Sequence, residues 1–146
     1  MSYDGVPGVV ETRTDRGETT LVVDPARVVE ACLHLRDELG FNQLMDISPA
    51  DYLGWGEPGV AGYLGTRTGR DIFAPGSQGQ ARVPDPKPKR FSVSYHLLRV
   101  SEDPERVRVQ AWLDDGDELD SVVPVWPGAD WYEREAWDMF GIHFRG

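Results

Sequence analysis

Between Gly54 and Arg90 the chain places eight glycines and five prolines within 37 residues. Proline removes a backbone donor and clashes inside a helix, and in a sheet it is confined to edges and bulges. No long helix or central strand fits there. A loop of this length inside a compact domain is usually functional or disordered. Its end, Pro84-Asp85-Pro86-Lys87-Pro88, reads as a semi-rigid extended spacer. The segment 54–90 is therefore an insertion between two strands that would otherwise be neighbours, and the residues on either side of it must build the core.

Those flanks carry clear periodicities. Thr19–Val23 is a short β-type run. Asp24-Pro25 reads as a helix start, with Asp24 as cap and Pro25 at the first helical position. Val28, Cys32, Leu35 and Leu39 then recur at helical spacing, and Gly40 follows where a left-handed terminator belongs. A second strand is expected over Phe41–Ile47. Beyond the insertion, Phe91–Val100 and Arg106–Leu113 read as a hairpin. Val107, Val109, Ala111 and Leu113 alternate there with Arg106, Arg108, Gln110 and Trp112, as in a sheet solvated on one side. Near the end, Asp130 and Glu133 form a capping-box pattern for a short helix that Gly141 stops. The order predicts an α+β fold, with helices packed on a mixed, largely antiparallel sheet in two layers. Residues 1–17 show no period and read as a loose N-terminal arm ahead of a domain over 18–146.

Composition narrows function by exclusion. The 146 residues allow one core, and 25 acidic against 15 basic residues give a net charge of −10. Such a surface disfavours phosphate backbones and anionic lipid. A single cysteine, Cys32, excludes an internal disulfide and any four-cysteine metal or cluster site within the chain. Cys32 lies on the apolar stripe of the first helix and reads as a small core residue. The start, Met1-Ser2-Tyr3-Asp4-Gly5, has neither the basic residues nor the apolar stretch of a signal peptide, and no run approaches a membrane span. A reducing, cytoplasmic-type setting is expected.

Motifs for chemistry are sparse. His34, His96 and His143 are far apart in sequence and read as ordinary surface or hydrogen-bonded histidines. The acidic stretch 114–120 lacks the ligand spacing of a calcium loop and reads as a solvated hairpin end. No glycine cluster is followed by the Lys-Ser/Thr of a phosphate loop. The informative stretch is the last. Trp126, Trp131 and Trp137 are three of the five tryptophans, beside Tyr132, Met139 and Phe140. A short helix cannot bury all of these in its own small domain, so part of the set is expected to face a partner. Arg134 and Asp138 stand at i, i+4 and are expected to pair.

The run Glu133-Arg134-Glu135-Ala136-Trp137-Asp138-Met139-Phe140-Gly141-Ile142 resembles the signature of the C subunit of the proton-translocating NADH–quinone oxidoreductases, respiratory complex I. That signature is Glu-Arg-Glu, two variable residues, Asp, an apolar residue and Phe-Gly-Ile, and every fixed position is filled. Arg90–Leu98 and Leu44–Tyr52 are similar to two further segments of the family. The likeness covers about 20–53 and 90–146. The family pattern continues after its last matched glycine with His-Pro-x-Leu and a basic tail, whereas this sequence ends at Gly146.

The resemblance implies a non-catalytic scaffold subunit of a translocase, with no catalytic, cofactor-binding or metal-binding residue of its own. FMN, iron–sulfur clusters and quinone would be held by other subunits. The implied partners are the large quinone-site subunit and the cluster-bearing subunits of the peripheral arm, at the cytoplasmic face of the inner (plasma) membrane. Trp126, Trp131, Glu133, Arg134, Glu135, Trp137, Asp138, Phe140 and Gly141 would form the partner interface. Trp131, Trp137 and Phe140 would be its anchors, and the charged residues its ion pairs and caps. The alternatives are the equivalent subunit of a membrane-bound hydrogenase-type complex and a free-standing acidic interaction module. An enzyme using Glu133, Glu135 and Asp138 fits less well, since Glu133 and Glu135 point to different sides of a helix.

Overall fold

A computed structural model describes residues 2–55 and 86–146. Its elements, in order, are β1 (Val9–Asp15), β2 (Glu18–Val23), a 3-10 turn (Pro25–Arg27), α1 (Val28–Asp37), β3 (Gln43–Asp51), β4 (Phe91–Arg99), β5 (Glu105–Leu113), β6 (Glu118–Asp120), α2 (Ala129–Phe140) and β7 (His143–Arg145). Residues 1–51 and 91–146 form one compact unit, and residues 52–90 form a second.

In the first unit five strands make a sheet in the order β1-β2-β5-β4-β3. The β2–β5 pair is parallel and the other three are antiparallel. The architecture is α+β with a mixed, largely antiparallel sheet, as the periodicities predict. The alternation in β5 is realised: Val107, Val109, Ala111 and Leu113 are buried, and the residues between them are partly or fully exposed. Tyr95, in β4, is fully buried, within electrostatic reach of Cys32 on α1 and Glu133 on α2. Leu21, Val23, Val28, Leu35, Phe41 and Val93 complete the centre of this core.

The start of α1 follows the sequence in outline. The Asp24 carboxylate accepts from the Ala26 N–H at 2.9 Å, but the turn it caps is 3-10, and α1 proper begins at Val28. At the far end Gly40 takes φ +76°, and the Phe41 N–H reaches back to the Leu35 carbonyl at 2.9 Å. Turning the chain back in this way uses a left-handed residue, which glycine supplies without strain. Phe41 is thereby committed to the core, and β3 starts later than expected. It also runs further, through Pro49 to Asp51. Proline is tolerated because β3 is the edge strand.

The N-terminal residues are not a loose arm. Tyr3 and Val6 are buried in the core, and Val9–Asp15 pairs with β2. The two-residue turn Arg16-Gly17 has φ of 51° and 82°, both positive, as the favoured tight hairpin requires. Periodicity could not reveal β1, because all but its first residue are exposed. The strands β6 and β7 form a separate parallel pair. The acidic segment 114–120 therefore ends in a strand as well as a turn.

In the second unit, Tyr52 donates its N–H to the Arg90 carbonyl at 2.7 Å. The Lys87 ammonium stands 5.3 Å from the Tyr52 ring centroid and 5.2 Å from that of Trp55. The bulk of the expected insertion, 56–85, lies outside the described residues.

Candidate functional site: the exposed face of the terminal helix

The signature segment forms most of α2 and the turn into β7, with Gly141 at φ +72° reversing the chain between them. The helix begins at Ala129 with Gly128 at its cap and no side-chain cap bond. Asp130 is therefore inside the first turn, not at the cap. Its carboxylate accepts from Arg134 Nε at 3.2 Å. The expected pairing of Arg134 with Asp138 is replaced by this one, which lies a turn earlier.

Glu133 does not close a capping box either. It is 7 % exposed, and its two oxygens accept from Ser121 Oγ and the Val122 N–H, each at 2.7 Å. Burial raises the Glu133 carboxyl above its ordinary value of 4.5, and these two hydrogen bonds oppose the rise. Trp126 is likewise in the core, 6 % exposed. Two of the nine residues expected at a partner interface are thus committed to this chain's own interior. Phe140 is half-buried against the core. The segment before the helix is also tied to α1, since Arg36 Nη1 donates to the Val125 carbonyl at 2.8 Å. On the sheet side, the Tyr132 hydroxyl donates to the Met45 carbonyl at 3.0 Å.

With these contacts orienting the helix, three of its large side chains point outward. Trp131 is 75 % exposed, Met139 70 % and Trp137 52 %. At 3.6 residues per turn, Asp138 and Glu135 flank Trp131 on either side, with Trp137 and Met139 at the margins of the same arc. Ala129, Glu133, Ala136 and Phe140 lie on the opposite side. The Arg134 guanidinium stands 5.8 Å from the Trp131 ring centroid. Trp137 rests edge-on against His143 of β7, centroids 5.6 Å apart, and His143 Nδ1 meets Glu118 at 2.9 Å. A shallow groove of about 360 Å³ beside Trp137 is lined by Asp130, Arg134, His143 and Phe144.

A second concavity, of about 470 Å³, opens on the sheet surface and includes Glu18, Asp46, Ser48, His96, Arg106 and Arg108. Sequence reasoning did not single it out, because its residues come from four strands. Arg108 is paired with Glu18 at 2.9 Å, and the Ser48 hydroxyl donates to Asp46 at 2.6 Å. Desolvation and then Arg108 lower the His96 value, with Asp46 and Glu18 opposing. These pairs account for Glu18 and Asp46, while Arg108 Nε is buried without a hydrogen-bond partner among the described residues. Among the described residues no three of His, Cys, Asp and Glu gather as a metal site. Cys32 is fully buried, and desolvation pushes its thiol up to about 12.

Comparison with known proteins places these features in context. The family described as the respiratory-chain NADH dehydrogenase, 30 Kd subunit, matches residues 21–146. The chain is 40 % identical to the C subunit of the NADH-quinone oxidoreductase of Hydrogenovibrio crunogenus over 133 residues, 88 % of this chain and 59 % of that protein. It is 38 % identical to the corresponding C subunit of Xanthomonas oryzae pv. oryzae, covering 90 % of this chain and 59 % of that protein. The chain thus spans about three-fifths of the length of the curated relatives it matches. Among solved structures, a trypsin-resistant fragment of Nqo5 is similar at a TM-score of 0.68 and 28 % identity, covering 93 % of this chain and 86 % of that one.

Proposed function

Because the chain belongs to the family of the respiratory-chain NADH dehydrogenase 30 Kd subunit, we propose that it is a scaffold subunit of the peripheral arm of an NADH–quinone oxidoreductase. That complex would pass electrons from NADH through flavin and iron–sulfur clusters to quinone and couple their flow to proton translocation. In this reading FMN, clusters and quinone belong to neighbouring subunits, and the chain contributes surface, not chemistry. Its partners are the large quinone-site subunit and the cluster-bearing subunits, at the cytoplasmic face of the membrane.

The observation that carries the reading is the outward arc of α2. Glu133, Trp126 and Ala136 hold the helix from inside, while Trp131, Trp137 and Met139 stand in solvent on the other side. Large aromatics clustered on one exposed face suit anchors that a partner covers. The lone, fully buried cysteine is in keeping with clusters held elsewhere. Among the described residues no helix is long and apolar enough to cross a membrane.

The test is capture of the chain, tagged at its N-terminus, from gently solubilised membranes. Co-capture of flavin, iron–sulfur clusters and quinone-linked NADH oxidation supports the reading. Capture of a large subunit without NADH oxidation points to a complex fed by another donor. Recovery of the chain alone refutes it.

A further inference from the structure

The charges on the exposed arc of α2 constrain what can cover it. Resting on the docking role above, we infer that the surface receiving α2 is a basic protein surface. It would hold an apolar pocket for Trp131, flanked by Lys or Arg side chains that meet Glu135 and Asp138.

The argument is one of charge balance. Among the described residues Trp131 is the most exposed of the large apolar side chains, and it sits at the middle of the arc. Glu135 and Asp138 flank it, and neither has an ion-pair partner among the described residues. The one cation on the arc, Arg134, is already spent on Asp130 at 3.2 Å and lies over the Trp131 ring. Asp130 and Arg134 cancel, so the arc carries an uncompensated charge of two carboxylates. Covering Trp131 brings both into a region of low dielectric, where an unpaired charge is strongly disfavoured. The covering surface must therefore bring cations.

The same charges argue against two other occupants. A second copy of this chain packed α2 on α2 would set like carboxylates against each other, because a two-fold contact is self-complementary. An anionic membrane would meet the two carboxylates on a chain of net charge −10.

The experiment compares three variants in the intact complex: Trp131→Ala, the neutral pair Glu135→Gln/Asp138→Asn, and the reversed pair Glu135→Lys/Asp138→Lys. All three alter exposed side chains, so urea unfolding of each isolated chain, within about 1 kcal/mol of wild type, separates docking from folding. The reversed pair should lower co-capture of the complex at least about tenfold, and the neutral pair less. Wild-type capture should fall as salt shortens the Debye length from about 10 Å to about 3 Å, and the neutral pair should lose much of that dependence. Loss of capture in Trp131→Ala with no effect of charge reversal overturns the basic-surface inference and leaves the docking role standing. Capture unchanged in all three refutes both. Self-association abolished by Trp131→Ala, or binding of the chain to anionic vesicles, also overturns the inference.

Discussion

The Ser121 hydroxyl donates to the Glu133 carboxylate across 2.7 Å, joining the end of β6 to the second turn of α2. Ser121 Oγ in turn accepts from the Val123 N–H at 3.1 Å, and the second Glu133 oxygen takes the Val122 N–H. One buried side chain thus satisfies the segment that leads into the helix and fixes which face of the helix turns outward. Glu133→Ala strands a buried hydroxyl and a buried N–H. Each costs about 1–3 kcal/mol, so a loss of about 2–6 kcal/mol in urea unfolding is expected. Glu133→Gln retains an acceptor and should lose about 1 kcal/mol. Equal losses in the two variants would contradict the hydrogen-bond account.

The same carboxylate makes stability depend on pH in a defined direction. Burial is the largest influence on Glu133 and raises its pKa above 4.5. A group whose folded value exceeds its unfolded one binds its proton more tightly in the folded chain. Its stabilising contribution is full below the unfolded value and is lost as pH rises through the folded one. Glu133→Gln cannot titrate and serves as the reference. The wild-type advantage over Glu133→Gln should therefore be greatest in acid and shrink as pH climbs from about 4.5. Urea midpoints of both proteins across that window test it, and a growing advantage would reverse the sign.

Tyr95 offers a stabilising substitution. Its side chain is fully buried, and its hydroxyl has no hydrogen-bond partner among the described residues. An unsatisfied buried hydroxyl costs about 1–3 kcal/mol. Tyr95→Phe keeps the ring and removes the orphan, so the urea midpoint should rise, by about 1 kcal/mol in stability. A destabilised variant would show that the hydroxyl is satisfied in solution.

These relationships mark where the sequence was legible. The α1 stripe and the β5 alternation could be read because each buries one face, and burial imposes a period on side chains. The β1 strand could not, since every residue after Val9 is exposed and the strand is held mainly by backbone pairing to β2. In the site, the density of Trp and Tyr indicated a surface larger than the domain could bury, and Trp131, Trp137 and Met139 are exposed on it. The direction of Glu133 was hidden. Asp130 and Glu133 have the spacing of a capping box, but the cap falls two residues earlier, at Gly128. The true partner of Glu133, Ser121, is twelve residues upstream. Local patterns see neighbours at three or four residues, and this bond depends on tertiary packing.

Cys32 should be silent to thiol reagents in the native state. It is 0 % exposed, and desolvation holds its thiol near 12, so almost no thiolate exists at neutral pH. Labelling by an aromatic disulfide is expected to wait for unfolding, with its denaturant dependence tracking the global transition. Rapid labelling of the folded chain would mean that α1 opens locally.

Two tryptophans of one segment should separate folding from docking. Trp126 is 6 % exposed and belongs to the core, whereas Trp131 is 75 % exposed and touches Arg134 across its ring. Trp126→Ala empties a large core volume and should cost about 3–5 kcal/mol in urea unfolding. Trp131→Ala forfeits an exposed cation–π contact of about 0.5–1 kcal/mol and little else. In the assembled complex both variants should be under-represented, for different causes. Less of the Trp126→Ala chain is folded, whereas Trp131→Ala is a well-folded chain that has lost an anchor. An interface anchor contributes about 2 kcal/mol or more, roughly thirty-fold in affinity. Measuring stability and capture on the same two variants resolves the causes. A stable Trp131→Ala chain that assembles normally would remove Trp131 from the interface and shift attention to Trp137 and the groove beside His143.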